Sequence, residues 1–200
     1  GQTAQNLAAG LTTTPTLSPF AANNWLVIAA GNSATGATGG IAGGIQSDNT
    51  LWTWGTNAQG SGIGSGSIGQ GSNANDYFLP TQVGTDTDWV KISAFAQGGF
   101  AIKSNGTLWS WGYTISYATG QGSALSFTVP TQIGTDTNWL DVFGGAYGGI
   151  ALKTNKTLWS WGSSNSYATG QNTLTDIQVP TQIGTDTNWV AIAMSSYTGY

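Results

Sequence analysis

The sequence predicts an all-β chain made of β-propeller blades, each with four short antiparallel strands. Three observations predict it. First, Pro80-Thr81-Gln82-Val83-Gly84-Thr85-Asp86-Thr87-Asp88-Trp89 returns at Pro130 to Trp139 and again at Pro180 to Trp189, in two steps of 50 residues. Residues 89–138 laid on 139–188 without a gap give 29 identities in 50, the mark of tandem structural units. Second, Leu108-Trp109-Ser110-Trp111-Gly112 recurs letter for letter at Leu158 to Gly162 and nearly so at Leu51 to Gly55, holding six of the ten tryptophans. Third, the chain has no glutamate or arginine and 31 glycines, and is rich in Thr, Ser and Asn. That composition disfavours helices and suits strands joined by tight turns.

The units follow in order. Residues 1–24 are an N-terminal segment in which Thr14-Pro15-Thr16-Leu17 resembles a last blade strand. Blade 1 is expected over 25–88, blade 2 over 89–138, blade 3 over 139–188, and the start of a truncated blade 4 over 189–200. Blade 1 is longer, by about seven residues in the stretch Gly31–Gly44 and about seven between Gly55 and Pro80. In blade 2 the first strand is expected from Trp89 to Ser93 and the second from Phe100 to Lys103. Asn105-Gly106 between the second and third suits the two positive-φ positions of a type I′ hairpin. Asp48-Asn49 and Asn155-Lys156 stand at the same place in the other units. The third strand is the Leu-Trp-Ser-Trp-Gly element. The fourth runs from Thr128 to Ile133, and its Pro130 cannot donate to a ladder, so it should form the outer edge.

In an extended strand Trp109 and Trp111 share one face and Leu108 and Ser110 the other. Each blade of a propeller is covered on both faces. The expectation is therefore that Trp52, Trp54, Trp109, Trp111, Trp159 and Trp161 are structural and pack between blades. Seven such blades would need about 350 residues. The chain is accordingly expected to be a piece of a longer protein, a ring completed by other copies being one alternative and an open stack of blades the other.

Composition also excludes function classes. Four lysines against eight aspartates give a net charge of −4, with no basic cluster to neutralise nucleic-acid phosphates or to hold an anionic membrane. With no cysteine and no histidine, there are no disulfides, no thiolate chemistry, no Cys/His zinc site and no histidine-based triad. No apolar run of about 18 residues occurs, so membrane insertion is not expected.

Asp86, Asp136 and Asp186 recur at equal positions, but one carboxylate per loop falls short of a Ca²⁺ site, and turn formation is the expected role. Asn105-Gly106-Thr107 and Asn155-Lys156-Thr157 match the N-glycosylation pattern and are read as turns. The run Gly60-Ser61-Gly62-Ile63-Gly64-Ser65-Gly66 has no following lysine and is read as a loop, not a phosphate cradle. Asp86 and Asp88 recur with Asn138 at the second position, so no carboxylate pair invites acid–base work. No catalytic residue, metal or cofactor is expected. The loops after each Trp-Gly vary most between units. Tyr77, Phe78 and Tyr113 there are the candidate ligand-binding residues, whereas Tyr117 and Tyr167 recur in Ser-Tyr-Ala-Thr-Gly-Gln and are read as rim packing.

Taken together, Trp-x-x-Ile/Val, Gly-Gly-x-Ala-Ile/Leu-Lys, Asn-Gly-x-Leu-Trp-x-Trp-Gly, Gly-Gln and Pro-Thr-Gln-Ile-Gly resemble the repeat of the regulator of chromosome condensation family, from about Leu11 to Tyr200. The resemblance implies seven-bladed propellers. It spans nuclear exchange factors, secreted bacterial inhibitors of β-lactamase, and repeat proteins of phages and bacterial surfaces. The histidine usual in the second strand of nuclear members is missing, with Gly99 and Gly149 in that area, and the basic surface is missing too. The expected function is thus a non-enzymatic extracellular structural or adhesive protein, on a virion tail or cell surface. It would bind a protein or surface glycan through its loops and assemble with copies of itself. A secreted enzyme inhibitor is the alternative, and an intracellular exchange factor the weakest reading.

Overall fold

The computed structural model describes residues 24–31, 40–57, 66–71, 76–95, 98–113, 116–164 and 169–194. The expected strand at Thr14–Leu17, the run Gly60–Ser65, Tyr167 and the final residue Tyr200 lie outside the described residues.

The described residues form twelve strands in three antiparallel sheets of four. The first sheet holds β1 (Trp25–Gly31), β2 (Ile41–Gln46), β3 (Leu51–Gly55) and β4 (Tyr77–Gln82). The second holds β5 (Trp89–Phe95), β6 (Gly98–Lys103), β7 (Leu108–Gly112) and β8 (Phe127–Gln132). The third holds β9 (Trp139–Gly145), β10 (Gly148–Lys153), β11 (Leu158–Gly162) and β12 (Ile177–Gln182). Each sheet is a meander in sequence order. The registers repeat: Ala101 stands opposite Trp109 in β6–β7, and Ala151 opposite Trp159 in β10–β11.

The β6–β7 turn departs from the type I′ expectation. Gly106 N–H donates to Lys103 O at 2.8 Å and Lys103 N–H to Thr107 O at 3.1 Å, so the loop has three residues, Ser104 to Gly106. Only its last residue takes positive φ, +77° at Gly106, which is the geometry of a type I turn closed by a bulge. Asn49 (φ 61°) and Lys156 (φ 62°) fill that left-handed position in the other blades. The physical reason lies in the residue before it. Asn105 Oδ1 accepts the N–H of Thr107 at 3.1 Å and its hydroxyl at 2.7 Å, which fixes Asn105 outside the left-handed region. Asp48 does the same for Thr50, and Asn155 for Thr157. The Asn-x-Thr pattern is thus a turn device, continued by Trp109, whose Nε1–H donates to Thr107 Oγ1 at 2.8 Å.

The outer strands carry the prolines, as expected. Two of them are also tied to the preceding blade: Gly71 N–H donates to Thr128 O at 2.8 Å, and Gly122 N–H to Gln178 O at 3.0 Å. Between blades lie two apolar clusters. Ile45, Leu51 and Val83 of blade 1 meet Ile92, Ala101 and Trp111 of blade 2. Phe95, Phe100, Leu108 and Ile133 of blade 2 meet Val142, Ala151 and Trp161 of blade 3. The core of this chain therefore sits in the seams between sheets, since a lone four-stranded sheet has no second layer of its own.

Candidate functional site

The six tryptophans of the pentapeptides divide by position. Trp111 and Trp161 are each 1% exposed. The Nε1–H of Trp111 donates to Ser67 O in blade 1 at 3.1 Å, and that of Trp161 to Ala118 O in blade 2 at 3.0 Å. These indoles span the seams, with their one polar group satisfied across the gap. Trp54, at the same place in blade 1, is half-buried and lies against Trp25, ring centroids 5.8 Å apart. The Trp111 ring lies over Gly99 and that of Trp161 over Gly149. A Cβ there would stand 2.2 and 2.3 Å from the respective Cζ2 atoms. At Gly99 and Gly149 the space for any side chain is filled by indole.

Trp52, Trp109 and Trp159 sit two residues earlier and are half-buried. Their partners lie within the blade or at its entry. Trp89 packs edge-on against Trp109 at 5.7 Å, and Trp139 against Trp159 at 5.6 Å. Lys103 Nζ lies 4.7 Å from both rings of the first pair, and Lys153 Nζ 4.5 and 3.7 Å from the rings of the second. Each ammonium also meets an aspartate: Lys103–Asp86 at 2.6 Å, with Asp88 at 3.1 Å, and Lys153–Asp136 at 2.5 Å. The Asp86 and Asp136 side chains thus bind the lysine that closes the second strand of the following blade rather than only shaping their own loop. Burial pushes the Lys103 ammonium toward deprotonation, but the hydrogen bonds and charges of Asp86 and Asp88 outweigh it and hold its pKa above the ordinary lysine value. Sequence reasoning missed these lysines. The available signal was Lys103 and Lys153 closing the second strand in two units, each 17 residues after an aspartate.

Tyr77 and Phe78 are not in a loop, as expected, but open strand β4. Tyr77 pairs opposite Gly55 and is half-buried, whereas Phe78 is 87% exposed and Leu79 beside it 68%. Phe78 stands where Thr128 and Gln178 receive a glycine N–H from the preceding blade. Tyr113 follows β7 and is half-buried, as is Tyr117, which has φ 59°. Tyr113 and the Tyr77–Phe78 pair belong to successive blades.

Between blades 2 and 3 an open groove of about 460 Å³ runs past Gln121, Thr135, Asp136, Trp139, Trp159 and Val179. Among the described residues no three acidic side chains gather in a way that would hold a metal, and no helix is long and apolar enough to cross a membrane.

No family model and no curated protein matches the chain. Solved structures do. Prp20p of Saccharomyces cerevisiae, described with its binding to Gsp1p and histones, superposes with TM-score 0.63 at 21% identity over 74% of this chain. Yeast RCC1 (Prp20) bound to Kap60 gives 0.66 at 21% over 81%, and human WBSCR16 gives 0.66 at 18% over 83%. The chain spans 37% of each of the first two and 41% of the third. With the repeat, the meander sheets and the seams already in view, this likeness shows the fold: the chain consists of β-propeller blades of the kind found in RCC1.

Proposed function

We propose that the chain is a non-enzymatic structural and adhesive repeat protein acting outside the cell, on a virion tail or a bacterial surface, and that it binds a partner protein along its rim. The observation that carries this reading is an apolar pair on the outer strand β4 of blade 1. Among the described residues Phe78 and Leu79 present adjacent large apolar side chains on β4, where β8 and β12 carry Thr128-Val129 and Gln178-Val179. Contiguous exposed apolar groups of this kind mark interaction sites. Protein is the favoured partner class because yeast RCC1 (Prp20), which shares the fold, is seen bound to Kap60. The absence of arginine and the scarcity of lysine favour a setting away from nucleic acid.

The test is retention of the labelled chain on intact bacterial cells, together with native mass measurement of the natural protein. Wild type should be retained, and Phe78→Asp should lose retention about tenfold or more while keeping its thermal midpoint. A natural protein that is a monodisperse soluble monomer with no cell retention would defeat the reading, and inhibition of a secreted enzyme would then be the one to pursue.

A further inference from the structure

The groove at the seam of blades 2 and 3 has a chemistry that the rim reading does not use. One wall is apolar: the half-buried Trp159, Val179 at 48% exposure, and Pro180. The other is rich in hydrogen-bond acceptors. Gln121 spends its amide group on Ser110 Oγ at 3.0 Å and Thr131 O at 2.8 Å, which leaves Oε1 to accept. Asp136 gives Oδ2 to Lys153 and keeps Oδ1, on a side chain 53% exposed. Thr135 adds an exposed hydroxyl. The Lys153–Asp136 pair cancels in charge, so the groove favours neither anion nor cation.

The donors decide which ligand fits. Trp159 Nε1–H is already bonded to Thr157 Oγ1 at 2.8 Å, and Trp139 Nε1 is buried without a partner in a residue only 5% exposed. An extended proline-rich peptide offers mainly carbonyl acceptors and would need free N–H donors on the groove wall. A pyranose ring offers the reverse: hydroxyl donors for Gln121 and Asp136, and an apolar C–H face for the side of the indole that Lys153 does not cover. A volume of about 460 Å³ lies within the range of small-ligand sites, about 300–1,000 Å³.

Matching residues stand at the first seam, where Asp88 adds a second carboxylate on the lysine. Gln70 Nε2 donates to Thr81 O at 2.9 Å, Asp86 holds Lys103, Trp109 donates to Thr107, and Trp89 Nε1 is buried without a partner. Val129 there is 48% exposed, as Val179 is.

We propose that each blade seam is a binding site for an uncharged saccharide, stacked on Trp159 or Trp109 and held through its hydroxyls by Gln121 and Asp136 or by Gln70 and Asp86. The sites are separate from Phe78, so the rim reading and this one fail independently. The test is calorimetric and tryptophan-fluorescence titration of the full chain with cellohexaose, chitohexaose and maltohexaose, followed by an array of neutral glycans, with decaproline as the competing class. At least one saccharide should bind at two sites per chain. Val179→Trp, which fills one groove, should halve that number, and Val129→Trp with Val179→Trp should weaken binding at least tenfold, with Phe78→Asp unaffected. If a tryptophan at these positions perturbs the near-ultraviolet dichroism, Val129→Asp and Val179→Asp replace it. The proposal is overturned if no neutral glycan binds, if binding survives in the double variant, or if decaproline binds at the seams in place of saccharide.

Discussion

Trp161 of blade 3 donates its indole N–H to the carbonyl of Ala118, 43 residues earlier in blade 2, and Trp111 repeats the bond to Ser67 of blade 1. The seam is thus closed by a side chain on one side and backbone on the other. Removing Trp111 leaves both a cavity and an unbonded carbonyl. Trp111→Ala should cost about 3–5 kcal/mol. Trp109→Ala, at a half-buried position, should cost less by about 1 kcal/mol or more. Urea unfolding of the two variants side by side checks the order; equal losses would mean that Trp111 does not span the seam.

The loops that receive these indoles come close to them. A Cβ on Gly69 or Gly120 would lie 2.9 Å from Cδ1 of Trp111 or Trp161, at φ +79° and +70°. Gly134 has φ +59° with open space around it. Gly134→Ala therefore carries only the left-handed penalty of about 1–2 kcal/mol, and Gly120→Ala adds a clash with an aromatic ring. Thermal unfolding should rank Gly120→Ala well below Gly134→Ala.

The three-residue turn gives a prediction of opposite sign. Lys156 holds φ 62° where blade 2 has Gly106. Lys156→Gly should stabilise blade 3 by about 0.5–1 kcal/mol through relief of the left-handed strain. Asn155→Ala should destabilise it by about 1 kcal/mol, since Thr157 loses its side-chain acceptor. Denaturant midpoints of the two variants, measured with unchanged slopes, decide both signs.

Lys103 makes stability depend on alkaline pH. Its pKa is raised in the folded chain, so folding favours its protonated form. The contribution is complete below the unfolded lysine value of about 10.4 and is lost as pH rises through the folded value. The informative quantity is the difference between wild type and Lys103→Met, in which contributions common to both chains cancel. That difference should be constant from pH 8 to about 10 and shrink above it in urea unfolding at each pH.

Much of the fold was legible because the information repeats. Strand β7 was read to the residue, since Leu108 to Gly112 recurs as a block bounded by a turn and a loop. Strand β8 was displaced by one residue, to Phe127–Gln132. The turn type was misjudged because Asn105-Gly106 was weighed as a dipeptide, while the deciding contact is the bond from Thr107 to Asn105. The lysine–tryptophan–aspartate clusters are hidden in the sequence for a different reason. Lys103, Trp89, Trp109 and Asp86 are scattered over some two dozen residues, and Gln46 takes the lysine's place in blade 1, which hides the period. The seam groove was further out of reach, since its walls come from two blades and exist only once those blades are stacked.

Because the acceptor of each seam tryptophan is a main-chain carbonyl, the residue that supplies it need only be small enough to stay buried in the seam. Serine does the task at position 67 and alanine at 118. The joint between blades asks of its partner a small side chain at that point and no particular hydrogen-bonding group. A fifty-residue segment cut at the Pro-Thr-Gln boundary could then be duplicated, deleted or exchanged as a cassette, with its new neighbour recognised at once. Growth or shortening of the array by recombination would leave every joint intact, while the intervening loops diversify on their own.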